Sequence, residues 1–147
     1  MNYISLFIKG IRLVDRKREI SNAYKSRYEE WKKESLDKSG FFVIFNGFAE
    51  EEDPKTKKTL LQSISGGALK LYVFLGLKSN NYTGEVFYSI KSLASYFNTS
   101  ERTINNWIHE LEKELHLIYR IQFDYNKVSH TYLQIYSTPE RNKNSQK

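Results

Sequence analysis

The chain contains no cysteine. That removes a disulfide framework, a thiolate nucleophile and any cysteine-based zinc site, and it suits a reducing, intracellular setting. No apolar run approaches the roughly 20 residues that a membrane span needs. The amino terminus, MNYISLFIKGIRLVDRK, lacks the long apolar core and small-residue cleavage site of a secretory signal. A cytoplasmic protein with no membrane partner is therefore expected. Gly66-Gly67 lacks the spaced glycines and the lysine of a phosphate-binding loop, so nucleotide binding is not expected. His109, His116 and His130 are scattered and not spaced with carboxylates like zinc ligands. Glu50-Glu51-Glu52-Asp53 places four acids in a row, but consecutive residues cannot converge on one ion without a sharp loop. That run reads as a solvated acidic loop. No Ser/His/Asp grouping stands out, so the expectation is a protein that is not an enzyme, with no cofactor, metal or small-molecule ligand.

What the chain does have is length for one real core, or for a small domain with an arm, in 147 residues. It is rich in tyrosine and phenylalanine and carries a net charge of +6. Residues 1–40 hold ten Lys/Arg against six Asp/Glu, residues 41–67 three against four, and residues 68–147 ten against seven. A basic balance favours polyanionic partners, because Lys and Arg near phosphates release condensed counterions.

Along the chain, residues 2–10 read as a short strand or an apolar anchor. Residues 11–37 read as a charged helix with Ile20, Ala23, Tyr24, Tyr28 and Trp31 on one stripe. That stripe either packs onto the chain's own core, or forms a dimer seam or partner-docking face, or lends its basic flank to a DNA backbone. Lys38-Ser39-Gly40 is a break, and Phe41-Phe42-Val43-Ile44-Phe45 reads as a strand. A helix is expected from Ser65-Gly66-Gly67 to about Lys78, apolar nearly all round and hence central. Turn residues follow at 79–84, then a short strand, Glu85-Val86-Phe87-Tyr88.

The centre of the sequence is 89–116, SIKSLASYFNTSERTINNWIHELEKELH. Ile90, Leu93, Ala94 and Phe97 recur at helical spacing, and so do Ile104, Trp107, Ile108, Leu111 and Leu115. Between them Asn98 tolerates a left-handed backbone and Ser100 can cap the second helix. Two helices joined by so tight a turn form a frame that presents one helix to the DNA major groove. Leu93-Ala94, Phe97-Asn98-Thr99-Ser100, Thr103-Ile104 and Trp107-Ile108 resemble the helix-turn-helix of bacterial winged-helix proteins. These are transcriptional regulators and the amino-terminal domains of plasmid and phage replication initiators. The usual pattern has Gly where Asn98 stands and Val where Thr99 stands. The likeness covers roughly residues 65–137.

Two strand-like runs follow, 117–125 and 130–136, with Asn126-Lys127-Val128-Ser129 as a basic hairpin tip. In the first run Leu117, Tyr119, Ile121 and Phe123 alternate with Ile118, Arg120, Gln122 and Asp124. The order helix, strand, helix, helix, strand, turn, strand is that of a winged helix. The expected fold is thus α+β: a winged helix-turn-helix domain at 61–138, an amino-terminal helix and strand extension at 1–60, and a flexible tail at 139–147.

Because the apolar positions fix the buried face of the second motif helix, its outer face carries Arg102, Asn105, Asn106, His109 and Lys113. Arg can donate two bonds to guanine and Asn can pair bidentately with adenine. The start of such a helix lies nearest the bases, which favours Arg102, Thr103, Asn105 and Asn106. Thr99 and Ser100 suit a phosphate. Glu110, Glu112 and Glu114 are expected to tilt away from DNA. Arg120 and Lys127 are the expected wing contacts, to phosphate or minor groove. The strand aromatics could stack single-stranded bases, although core packing suits most of them better. The expected function is sequence-specific double-stranded DNA binding in transcription regulation, with a homodimer through the amino-terminal helix as one option. A replication accessory factor and a winged-helix protein-interaction module are the rivals.

Overall fold

The structure, a computed structural model, describes residues 3–136, with side chains from residue 9 onward. The expected tail at 139–147 lies outside the described residues. Two compact units divide the chain, 1–41 and 42–147. The expected boundary near residue 60 does not coincide with this division. Phe48 and Leu60 are buried in the core of the second unit, and Phe42 packs against it.

The first unit is one long helix, α1 (Tyr3–Lys38). The strand or anchor expected at 2–10 is helical from Tyr3. Gly10 weakens a helix by about 1 kcal/mol, but no proline or turn residue accompanies it, so the helix runs through. Gly40 adopts φ +67° and ends the segment. Ile20, Tyr24, Tyr28 and Trp31 are exposed, with Trp31 at 61%. The Tyr28 and Trp31 rings lie 5.6 Å apart, and the Arg27 guanidinium sits 5.9 Å from the Tyr24 ring centre.

Residues 41–45 form no strand, against expectation: their backbone is irregular and finds no ladder partner. Phe41, Val43, Ile44 and Phe45 are exposed, and Phe42 packs on the core of the second unit. Phe42 seats its ring over Gly76, where a Cβ would overlap it, and meets Tyr72 edge-on at 5.5 Å. A single helical turn follows, α2 (Gly47–Glu50), which buries Phe48 against the Tyr72 ring, 5.8 Å away and nearly parallel. Asp53 accepts from the amides of Lys55 and Thr56 and folds the acidic loop into a turn. Thr59 and Gln62 then make a reciprocal capping box on α3 (Leu60–Ser63).

Ser65 caps α4 (Gly66–Lys78), which runs through the centre of the core with Ala68, Leu71, Tyr72, Phe74 and Leu75 buried. Burial of the Tyr72 phenol pushes its pKa up, with the nearby Tyr136 adding to the shift. After β1 (Glu85–Phe87), Ser89 caps α5 (Ile90–Tyr96), and Ser100 caps α6 (Glu101–His109). Asn98, between them, takes φ 49°, the left-handed turn its residue type favours. The helix then widens into a π-helical turn over Glu110–Glu114, closed by the Leu115 amide donating to the Glu110 carbonyl. His116, at φ 53°, breaks it.

Strands β2 (Ile118–Ile121) and β3 (His130–Leu133) complete an antiparallel sheet of order β1-β3-β2. Val86 pairs with Thr131, and Tyr119 with Tyr132. Both carboxyl-terminal strands are shorter than the expected runs. The alternation in this run left open which face of β2 is buried. Leu117 is buried before the strand starts, Ile118 is buried within it, and Tyr119 is exposed. A one-residue shift in where pairing begins reverses every side chain. The second unit is an α+β winged helix-turn-helix: α4, α5 and α6 with a small three-stranded antiparallel sheet, residues 122–129 joining β2 to β3 as the wing.

Candidate nucleic-acid interface

The interface is built on α6. Its first turn is fixed by Ser100, whose Oγ accepts from the Thr103 amide at 3.1 Å and lies 2.9 Å from the Thr103 hydroxyl. Ile104 and Ile108 are buried beneath the helix. Half-buried Trp107 meets Phe97 edge-on at 5.7 Å and lies over Gly67 of α4. Gly67 has no side chain, so the indole can approach the α4 backbone closely. With the apolar face thus held at three points, the rest of the helix must face outward.

That outward face carries Arg102, Asn106 and His109 at its centre, with Asn105 to one side, by the ~100° turn per residue of an α-helix. All four are exposed, and among the described residues none of their side chains holds a hydrogen bond or ion pair. A row of unengaged donors and acceptors on a rigid helix is suited to base edges. Thr103 is half-buried and its hydroxyl is engaged by Ser100, so it stands apart from that row. Thr99 is half-buried and its amide donates to the Ala94 carbonyl, which leaves that amide to the turn and not to a phosphate. Ser100 is exposed at the helix start.

The two expected wing contacts come out differently. Arg120 points inward from β2: its Nη2 donates to the Tyr88 carbonyl at 3.4 Å and its Nε is buried without a partner. Burial lowers its pKa, partly offset by the Glu112 carboxylate. Arg120 is thus half-buried on the core-facing parity of β2, its guanidinium turned toward the Tyr88 carbonyl. Lys127 is exposed on the wing, but its Nζ lies 2.6 Å from the Asp124 carboxylate. The expected basic tip is therefore charge-balanced.

Sequence reading assigned no task to two glutamates that hold the frame. Glu110 accepts from the Ser65 amide and the Ser65 hydroxyl, each at 2.6 Å, and so fastens the end of α6 to the start of α4. Glu112 accepts from the Arg120 amide at 3.0 Å and fastens β2 beside the π-helical turn. Both lie off the outward face of α6. No local signal could reveal the Glu110 contact, whose partner is 45 residues away.

At the root of the wing, Glu85 accepts from Tyr132 at 2.9 Å and lies 2.8 Å from His130 Nδ1. These bonds, that from His130 first, hold the Glu85 carboxyl below its ordinary pKa, and the same contact raises that of Tyr132. The His130 ring stands between Phe87 and Phe123, edge-on at 4.4 and 4.6 Å. Among the described residues no helix is long and apolar enough to cross a membrane.

Comparison with curated proteins and with solved structures gave no match. Residues 62–114, from within α3 to the end of the π-helical turn, match the family model of a helix-turn-helix domain, and that match supports a helix-turn-helix DNA-binding family with DNA as the partner.

Proposed function

We propose that this chain is a sequence-specific double-stranded DNA-binding protein, a cytoplasmic transcriptional regulator of a plasmid, phage or similar mobile element. It acts by binding and not by catalysis. The outer face of α6 reads the major groove, with Arg102 and Asn106 as base contacts and Asn105 and His109 beside them. The observation that carries this reading is the exposed, unengaged polar row on a helix whose other face is pinned by Ile104, Trp107 and Ile108. The exposed aromatic stripe of α1 supports a homodimer through that helix, which would set two copies on two half-sites.

The test is a binding titration on duplexes selected by the full chain from a random-sequence pool. Affinity should fall steeply between about 50 and about 200 mM salt, as it does for proteins that release counterions. Arg102→Ala should lower the preference for selected over scrambled duplex by about 1–3 kcal/mol, the discrimination of one bidentate base contact. An unselected pool, or an Arg102→Ala protein with undiminished preference, would refute groove reading by α6.

A further inference from the structure

We propose that the wing engages DNA through an aromatic side chain, Tyr125, stacked on a base at an opened step, and not through a cation on phosphate. This rests on the reading of α6 given above. The wing, residues 122–129, carries Asp124 and Lys127 as its charged residues, so it brings no net charge. Those two are already joined at 2.6 Å. A phosphate that drew Lys127 away would leave the Asp124 carboxylate facing the same polyanion. Electrostatic attraction, the usual reason for a wing to follow a backbone, is therefore cancelled at its source.

What the wing does present is a ring on a braced turn. The Lys127 amide donates to the Asp124 carbonyl at 3.1 Å, closing the turn across Tyr125 and Asn126. The Gln122 side chain donates to the carbonyls of Tyr125 and Lys127, at 3.0 and 3.3 Å, and ties the apex back to β2. Tyr125 stands at that apex, 95% exposed. Among the described residues its ring contacts no other ring, whereas Phe123 below it is braced by His130. Exposed rings are common on this surface, Tyr82 among them; what distinguishes Tyr125 is its place at the tip of a wing tied back to its strand, so that stacking would cost little further ordering. The partner surface beside α6, on this reading, is duplex DNA, and the part of DNA that accepts a ring is the face of a base.

The experiment uses the full chain and a duplex it selects from a random pool, with 2-aminopurine placed in turn at each position flanking the α6 footprint. Wild-type protein should raise the 2-aminopurine fluorescence at one flanking step, which reports unstacking. Tyr125→Ala should abolish that signal and weaken binding by roughly 5- to 160-fold, the range for loss of one stacked base, with the salt dependence unchanged. Tyr125→Phe should keep both. Lys127→Ala should stay within about twofold and leave the salt dependence unaltered. If Tyr125→Ala binds like wild type, or Lys127→Ala reduces the salt dependence by about one phosphate contact, the aromatic wing is refuted while groove reading by α6 stands. If the wild-type chain selects no duplex, both readings fall together.

Discussion

At the scale of single residues, the interface depends on what is left out as much as on what is present. Gly67 lets the Trp107 indole lie against α4, so a methyl group there collides with the ring. Gly67→Ala should destabilise the fold by about 1–3 kcal/mol, the usual cost of overpacking. Its neighbour Gly66 faces open space, and Gly66→Ala should be neutral or stabilising by up to ~1 kcal/mol. Urea denaturation midpoints at unchanged slope decide between them. Glu85 supplies a pH dependence whose sign is fixed. Its folded pKa lies below the ordinary 4.5, so its contribution to stability is complete above that value and is lost as acid takes the pH down through the folded pKa. The stability difference between wild type and Glu85→Gln should be constant near neutrality and close progressively below pH 4.5, as measured by urea midpoints along a pH series.

At the scale of elements, the helix starts were legible and the joints between elements were not. Ser65, Ser89 and Ser100 each accept from the amide three residues on, a local bond made within one turn of chain. Such bonds leave a signature in a short window of sequence, and so does Asn98 in its left-handed turn. The fastening of α6 to α4 by Glu110 leaves none. Glu110→Ala removes a charged acceptor from both the amide and the hydroxyl of Ser65 and should destabilise by about 1–2 kcal/mol. Thermal melting measures that loss. Base preference should be unchanged, since Glu110 lies off the outward face of α6. The parity of β2 was also illegible, because it depends on where pairing with β3 begins and not on the alternation itself. That parity is what turns the half-buried Arg120 toward the Tyr88 carbonyl.

At the scale of the whole molecule, two units divide the labour. Residues 42–136 contain the described buried core, from Phe48 to Ile118. The 36-residue α1 presents a stripe of exposed Tyr24, Tyr28 and Trp31. An isolated helix gains little stability without an apolar face to pack. A peptide of residues 1–41 should therefore become more helical by circular dichroism as its concentration rises through self-association. In sedimentation equilibrium the full chain should behave as a dimer, and Trp31→Glu should shift it toward monomer. A helicity independent of concentration, with a monomeric full chain, would remove the dimer from the proposal.

The sequence alone determined α4, α5 and α6, the Ser100 cap, the turn between α5 and α6 and the polar row on α6, because each depends on contacts a few residues apart. Tertiary structure alone decided that Arg120 is half-buried, that Lys127 pairs with Asp124, that Phe42 packs on the core from a segment that forms no strand, and that Glu110 is a fastener. Those outcomes depend on which distant segments meet, and on the strand parity set by pairing. Both are properties of the assembled chain that no short window of residues encodes.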